Sequence, residues 1–198
     1  AYNVSSDLGK VSLVVATDGI EEIKKFKISL FSPIRPMLAD RVKSETDAIK
    51  KMPQSFAAEY KLDGERVQIH KQMNKIILFS RRLETITQYY PDIIENIGKS
   101  INVDEGIFEA EIVPINENTG EFLPFQELMH RRRKYKLEKA VLQYPITVNF
   151  FDVLYFDDKN CLNLEYTKRR EILEKVVKED NFAKLVPMLL VKNENEIE

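Results

Sequence analysis

From Ser55 to Arg81 the chain switches between apolar and polar residues in short runs, and this pattern commits it to sheet. Phe56, Ala58 and Tyr60 fall on one face of a first predicted strand, with Ala57, Glu59 and Lys61 on the other. Asp63-Gly64 reads as a turn, which makes Val67-Gln68-Ile69-His70 the antiparallel partner of that strand. Lys75 to Arg81, rich in Ile, Leu and Phe, is a third. Further strands are predicted over Gly106–Ile115, Val148–Phe156 and Leu185–Val191. Ser44 caps a predicted helix ending near Lys51, Pro91 opens one at its first position, and two more cover Phe125–Lys139 and Thr167–Lys178. Strands outnumber helices and arrive in hairpin-like groups. The predicted class is α+β, with antiparallel sheets flanked by helices.

Ahead of the strands, residues 1–30 show short helical patterns, with a turn at Asp18-Gly19 and one or two helical turns from Ile20 to Phe26. The run Phe31-Ser32-Pro33-Ile34-Arg35-Pro36-Met37-Leu38-Ala39 follows. Two prolines three apart cannot sit inside a helix, so this is an extended connector and the predicted boundary between residues 1–32 and 33–198.

A chain of 198 residues with 43% hydrophobic content can build one good core, or one core plus a fragment of a second domain. Its 30 basic and 32 acidic residues nearly cancel, so attraction to phosphate must come from local clusters. Three stand out: Arg81-Arg82, His130 to Lys136, and Lys168-Arg169-Arg170. The second reads as a helix face suited to DNA backbone or to solvent. The third opens a helix, where the dipole disfavours cations, and suggests an external anion or a partner domain. One cysteine, Cys161, excludes an internal disulfide framework and fits a reducing, intracellular setting. No apolar run approaches the length of a membrane helix. A start at Ala1-Tyr2-Asn3 and a charged end from Lys192 to Glu198 suggest a piece of a longer protein. High Lys, Glu and Ile without Trp leans towards a thermophile.

The chemistry centres on Lys61-Leu62-Asp63-Gly64-Glu65-Arg66. Four fixed positions, Lys, Asp, Gly and Arg, arise by chance in roughly one chain per thousand of this size. A lysine becomes a nucleophile when burial or nearby positive charge holds off its proton, so Lys61 is expected at a pocket floor. A solvated lysine paired with Asp63 or Glu65 is the plain alternative. Glu109 and Glu111, two apart on one strand, point to the same side and suit a divalent cation beside phosphate oxygens, or simply solvent. Phe150 to Tyr155 is an aromatic strand that either fills a core or offers a ring to a flat base. Phe79-Ser80-Arg81-Arg82 ends a strand in guanidinium groups able to meet ribose or phosphate.

Taken in order, these pieces resemble the motifs of the covalent nucleotidyltransferases, and most closely the ATP-dependent DNA ligases of archaeal and eukaryotic type. Lys61 to Arg66 looks like motif I of that family, Phe79 to Arg81 like the next motif, Phe108 to Val113 like motif III, and Phe150 to Tyr155 like motif IIIa. Residues 33–39 resemble the entry to the adenylation domain, and residues 1–9 the end of the helical DNA-binding domain. The resemblance implies an ATP-grasp-like nucleotidyltransferase fold. It implies that Lys61 attacks the α-phosphate of ATP and holds AMP, that Glu59 helps choose the base, and that Phe151 stacks on adenine. Arg66 and Arg81 would contact ribose or phosphate. Glu111 would bind ribose or Mg²⁺ (or Mn²⁺), with Asp63 supporting the metal. Nicked duplex DNA is the implied partner, with a sliding clamp through the longer protein and no membrane. The family more often has Asp where this chain has Glu109. The chain ends before the family's motifs IV and V, so little or no activity is expected of it alone. Related enzymes, an RNA ligase or a GTP-using capping enzyme, and a non-catalytic nucleic-acid-binding module are the alternatives.

Overall fold

Hydrogen-bond pairing divides the strands between two sheets. The computed structural model describes residues 1–52, 55–131, 137–192 and 196, with Asn3 and Leu137 described in their backbone only. Contacts group Ala1–Pro36 with Asp63–Leu185 as a larger unit, and Met37–Leu62 with Val186–Glu198 as a smaller one.

The larger unit opens with helices α1 (Tyr2–Ser5) and α2 (Leu8–Asp18) and a 3-10 turn over Ile20–Lys25. Asp7 caps α2, its carboxylate accepting from the Lys10 N–H at 2.9 Å. The smaller unit holds α3 (Glu45–Lys51), capped by Ser44, and strand β1 (Phe56–Glu59). The larger unit then supplies β2 (Glu65–Gln72), β3 (Lys75–Ser80), α4 (Pro91–Ser100), β4 (Glu105–Pro114), α5 (Leu137–Gln143) and β5 (Ile146–Phe156). It continues through β6 (Lys159–Asn160), α6 (Tyr166–Val176) and β7 (Ala183–Leu185). Strand β8 (Met188–Val191) returns to the smaller unit and pairs antiparallel with β1.

The main sheet runs β3-β2-β4-β5-β6, antiparallel throughout, with β7 added parallel to β5. This is the α+β class expected. One face carries the core: Val67, Ile69, Leu78, Phe108, Ala110, Ile112, Val148 and Phe150 pack with Ile93 and Ile97 of α4 and Leu173 of α6. Burying each of these large aliphatic side chains is worth roughly 1.5–3 kcal/mol. The connector lies against the opposite face, where Ile34, Ile107 and Leu154 are buried with Ile28 and Leu30 beside them. A sheet covered on both sides explains why β2 is buried from Val67 to Lys71 although its sequence alternates.

Three local expectations need correction. The hairpin across Asp63-Gly64 does not form. Both edges of β2 are taken, by β3 and by β4, and none remains for β1. The predicted last strand is two, because Val186-Pro187 separates β7 from β8 and proline has no N–H for a ladder. The long basic helix is a 3-10 turn over Phe125–His130 and the short α5; Arg132 to Lys136 lie outside the described residues. Among the described residues, no helix is long and apolar enough to cross a membrane.

Candidate functional site

Strand alternation sorts the hexapeptide. Glu65, Val67 and Ile69 face the core, while Arg66, Gln68 and His70 face the connector. Glu65 is buried and accepts from the Tyr90 hydroxyl at 2.6 Å, so it serves the core. Gly64 owes its identity to close packing. A β-carbon there lands against the Ile112 carbonyl oxygen and 2.9 Å from Glu111 Cγ. Its backbone conformation is not left-handed, so close approach replaces the expected turn as the reason for glycine.

The connector-facing side of the larger unit gathers a set of polar groups. Cross-strand register sets Arg66 opposite Glu111 and Gln68 opposite Glu109. Arg66 Nε donates to Glu109 Oε2 at 2.6 Å, and its guanidinium lies 5.3 Å from the Phe151 ring centre. Gln68 Nε2 donates to Glu109 Oε1 at 2.8 Å and to the Ile34 carbonyl at 2.9 Å. Gln68 Oε1 accepts from the Ile34 N–H at 2.7 Å. His70 Nδ1 accepts from the Phe31 N–H at 2.9 Å, which leaves the proton on Nε2 to donate to Gln68 Oε1 at 2.8 Å. The Phe79 ring meets His70 edge-on at 4.9 Å.

Burial sets the electrostatics. It pushes the Glu109 carboxyl above its ordinary value, with the Arg66 charge and the bonds from Arg66 and Gln68 pulling partly back. Burial also holds His70 down at about 3, in keeping with an Nδ1 already committed to accepting.

The residues singled out from sequence fall in both units. Glu59 ends β1 and is exposed. Lys61 follows outside the strand, at the centre of a tight turn in which the Leu62 N–H donates to the Tyr60 carbonyl at 3.1 Å. Its side chain is exposed, and within its unit the ammonium has no ion-pair or hydrogen-bond partner among the described residues. In the larger unit, Asp63 is exposed and accepts from the Phe125 N–H at 3.3 Å. Half-buried Glu111 lies beside Gly64. Phe151 is half-buried under Arg66. Arg81 is exposed just past β3, level with Arg66 by the Val67–Ser80 register, and has no partner among the described residues. The structure thus brings Arg66, Glu111 and Phe151 together, and leaves Arg81 at the rim.

Arginines of two basic clusters are paired internally. Arg131 is fully buried, paired through both terminal nitrogens with Asp92 at 2.6 and 3.2 Å and lying over Tyr90, so it offers nothing to DNA. Arg169 grips Asp152 at 2.7 and 3.1 Å, Lys168 meets Glu171 at 3.0 Å, and Arg170 meets Glu174 at 2.7 Å. Internal carboxylates answer that helix start. Sequence reasoning missed Gln68 and His70, although a strand whose non-core face reads Arg, Gln, His was a visible signal. Glu109 is the residue that anchors Arg66.

Among the described residues no group of three or more metal-ligating side chains converges. Glu109 is already occupied by Arg66 and Gln68. Glu111 beside Gly64, with Asp63 next in the chain, leaves a one- or two-carboxylate arrangement, which fits Mg²⁺ only when phosphate oxygens complete the shell.

The chain resembles known proteins along its whole length. It is 70% identical over 198 residues to a DNA ligase of Nitrosopumilus maritimus, covering all of this chain and 34% of that protein. Against a DNA ligase of Cenarchaeum symbiosum the figures are 58%, all and 34%. Against one of Saccharolobus solfataricus they are 42%, 98% and 32%. The chain therefore spans about a third of the length of the curated relatives it matches. In fold it is similar to the ligase domain of M. tuberculosis LigD, with a TM-score of 0.50 at 20% identity over 68% of this chain and 40% of that one. It is also similar to a solved chain described as "Pmar-Lig_Pre.", with a TM-score of 0.53 at 21% identity over 86% and 38%. The sequence profile described as "ATP dependent DNA ligase domain" matches residues 36–198, and the chain belongs to that family.

Proposed function

We propose that this chain is the greater part of the adenylation domain of an ATP-dependent DNA ligase, with residues 1–32 the end of a helical DNA-binding domain. The observation that carries the reading is the polar face of the main sheet. A guanidinium fixed at 2.6 Å by a buried carboxylate lies over a half-buried aromatic ring. Such a face offers a flat base a ring and a phosphate or ribose a cation held in place, before any ligand arrives.

In this reading Lys61 Nζ, once deprotonated, attacks the α-phosphorus of ATP. The bond to pyrophosphate breaks, and AMP is held as a phosphoramide. AMP then passes to the 5′-phosphate at a nick, and the 3′-hydroxyl displaces it to join the strand. Glu59 helps select the base, Phe151 stacks on adenine, and Arg66 and Arg81 meet ribose or phosphate. Glu111, with Asp63, would hold Mg²⁺, which supplies charge neutralisation at the transferring phosphoryl group. Roles in repair and replication, an intracellular location and a sliding-clamp partner follow from the same reading.

The test is covalent labelling with α-labelled ATP or GTP in a protein of the relatives' length that carries this chain. An acid-labile, base-stable adduct from ATP that disappears with Lys61→Ala is expected. An adduct from GTP alone, or an ATP adduct that survives the substitution, overturns the reading.

A further inference from the structure

Gln68 uses every hydrogen-bonding position of its amide. Its oxygen accepts from the Ile34 N–H and from His70 Nε2; its nitrogen donates to the Ile34 carbonyl and to Glu109 Oε1. Three of these four bonds hold it to fixed objects: the connector main chain, and a histidine itself anchored to the Phe31 N–H. The fourth reaches the carboxylate that grips Arg66. Gln68, His70 and Glu109 are all buried, so water does not replace a lost partner cheaply.

We propose that Gln68 is a positioning residue: seated on the main chain of Ile34, it fixes Glu109 and through Glu109 the guanidinium of Arg66. This deepens the ligase reading and rests on it. A carboxylate held by one oxygen can rotate about its last torsion. Held at both oxygens by donors from neighbouring positions of β2, it cannot, and the Arg66 guanidinium keeps its place over Phe151. The connector thereby takes part in shaping the face on which the nucleotide is read, without touching it. Docking of residues 31–34 and the geometry of Arg66 become one cooperative unit.

Gln68→Met keeps the length and removes the amide. The first measurement is the side-chain Nε–H signal of Arg66 in the 198-residue chain labelled with ¹⁵N-arginine, assigned by its loss in Arg66→Lys. In the parent sequence that proton is expected to exchange slowly. In Gln68→Met its exchange is expected to speed up about tenfold or more, the usual weight of a hydrogen bond to a charged group. The second measurement is Lys61 adenylation by ATP in a protein of the relatives' length. KM for ATP is expected to rise about tenfold with kcat within about twofold, since Arg66 serves binding in this reading. Gln68→Glu, which keeps an acceptor for Ile34 and His70 but loses the donor to Glu109, is expected not to restore KM.

An unchanged Arg66 signal, a fall in kcat alone, or full restoration by Gln68→Glu overturns the positioning role while leaving the ligase reading in place. Absence of any adduct with the parent sequence overturns both.

Discussion

Acid weakens this fold through His70, and the size of the effect follows from its burial. The imidazole is fully buried, its Nδ1 accepts from the Phe31 N–H, and its folded value is held down at about 3 against an ordinary 6.5. Between those two values the unfolded chain binds a proton that the folded chain refuses, so stability rises with pH across the window. The contribution is complete above pH 6.5 and is lost as pH falls towards 3. At about 1.4 kcal/mol per pH unit the whole interval amounts to about 5 kcal/mol, of which about 2 kcal/mol is lost between pH 6.5 and 4.5. Glu109, one residue further along the same hydrogen-bond chain, works the other way. Its raised value makes the fold lose stability as pH climbs above the ordinary carboxylate range. The assay is urea unfolding of the chain at half-unit pH steps from 4.5 to 7, beside His70→Gln, which does not titrate. Subtracting the two curves removes what Glu109 and the other carboxylates contribute in common. The difference is expected to change by about 2 kcal/mol across the window, in favour of the parent at high pH. A difference that stays flat within about 0.5 kcal/mol refutes the argument.

Other expectations follow from single contacts. Gly64→Ala should destabilise by about 1–3 kcal/mol in urea unfolding, because its β-carbon meets the Ile112 carbonyl and Glu111 Cγ; an unchanged midpoint contradicts that close approach. Arg131→Met should lower stability by about 3–5 kcal/mol, since it leaves Asp92 without its buried partner, while electrophoretic DNA binding stays unaltered. Lys61→Ala should abolish the ATP adduct with the melting temperature within about 1 °C, as expected of an exposed side chain. Phe151→Leu should raise KM for ATP about tenfold with kcat largely kept, read in the same labelling assay.

The elements that sequence reading placed well are those whose signal is local. Ser44 caps its helix, Pro91 opens another, and the strands near residues 75–80, 105–114 and 146–156 follow their apolar and aromatic runs. The hairpin across Asp63-Gly64 failed because strand pairing is a competition for edges, and β3 and β4 hold both edges of β2. Arg131 and Arg169 were not legible for a related reason. Whether an arginine meets solvent or a carboxylate depends on what packs over it, and Asp92 and Asp152 are 39 and 17 residues away from Arg131 and Arg169.

Lys61-Leu62-Asp63-Gly64-Glu65-Arg66, read in order with the motifs that follow it, was enough to suggest the family, because a lysine, a glycine and an arginine at fixed spacing are a signal written in consecutive residues. What those residues do to each other was not written there. Alternation along β2 sends Glu65 into the core and Arg66 to the opposite face, and only strand register then brings Glu109, Gln68 and the connector to meet it. Residue types and spacing determine which chemistry is available. The tertiary structure decides which charges are buried, paired and held still, since burial and long-range pairing exist only once distant segments are in contact.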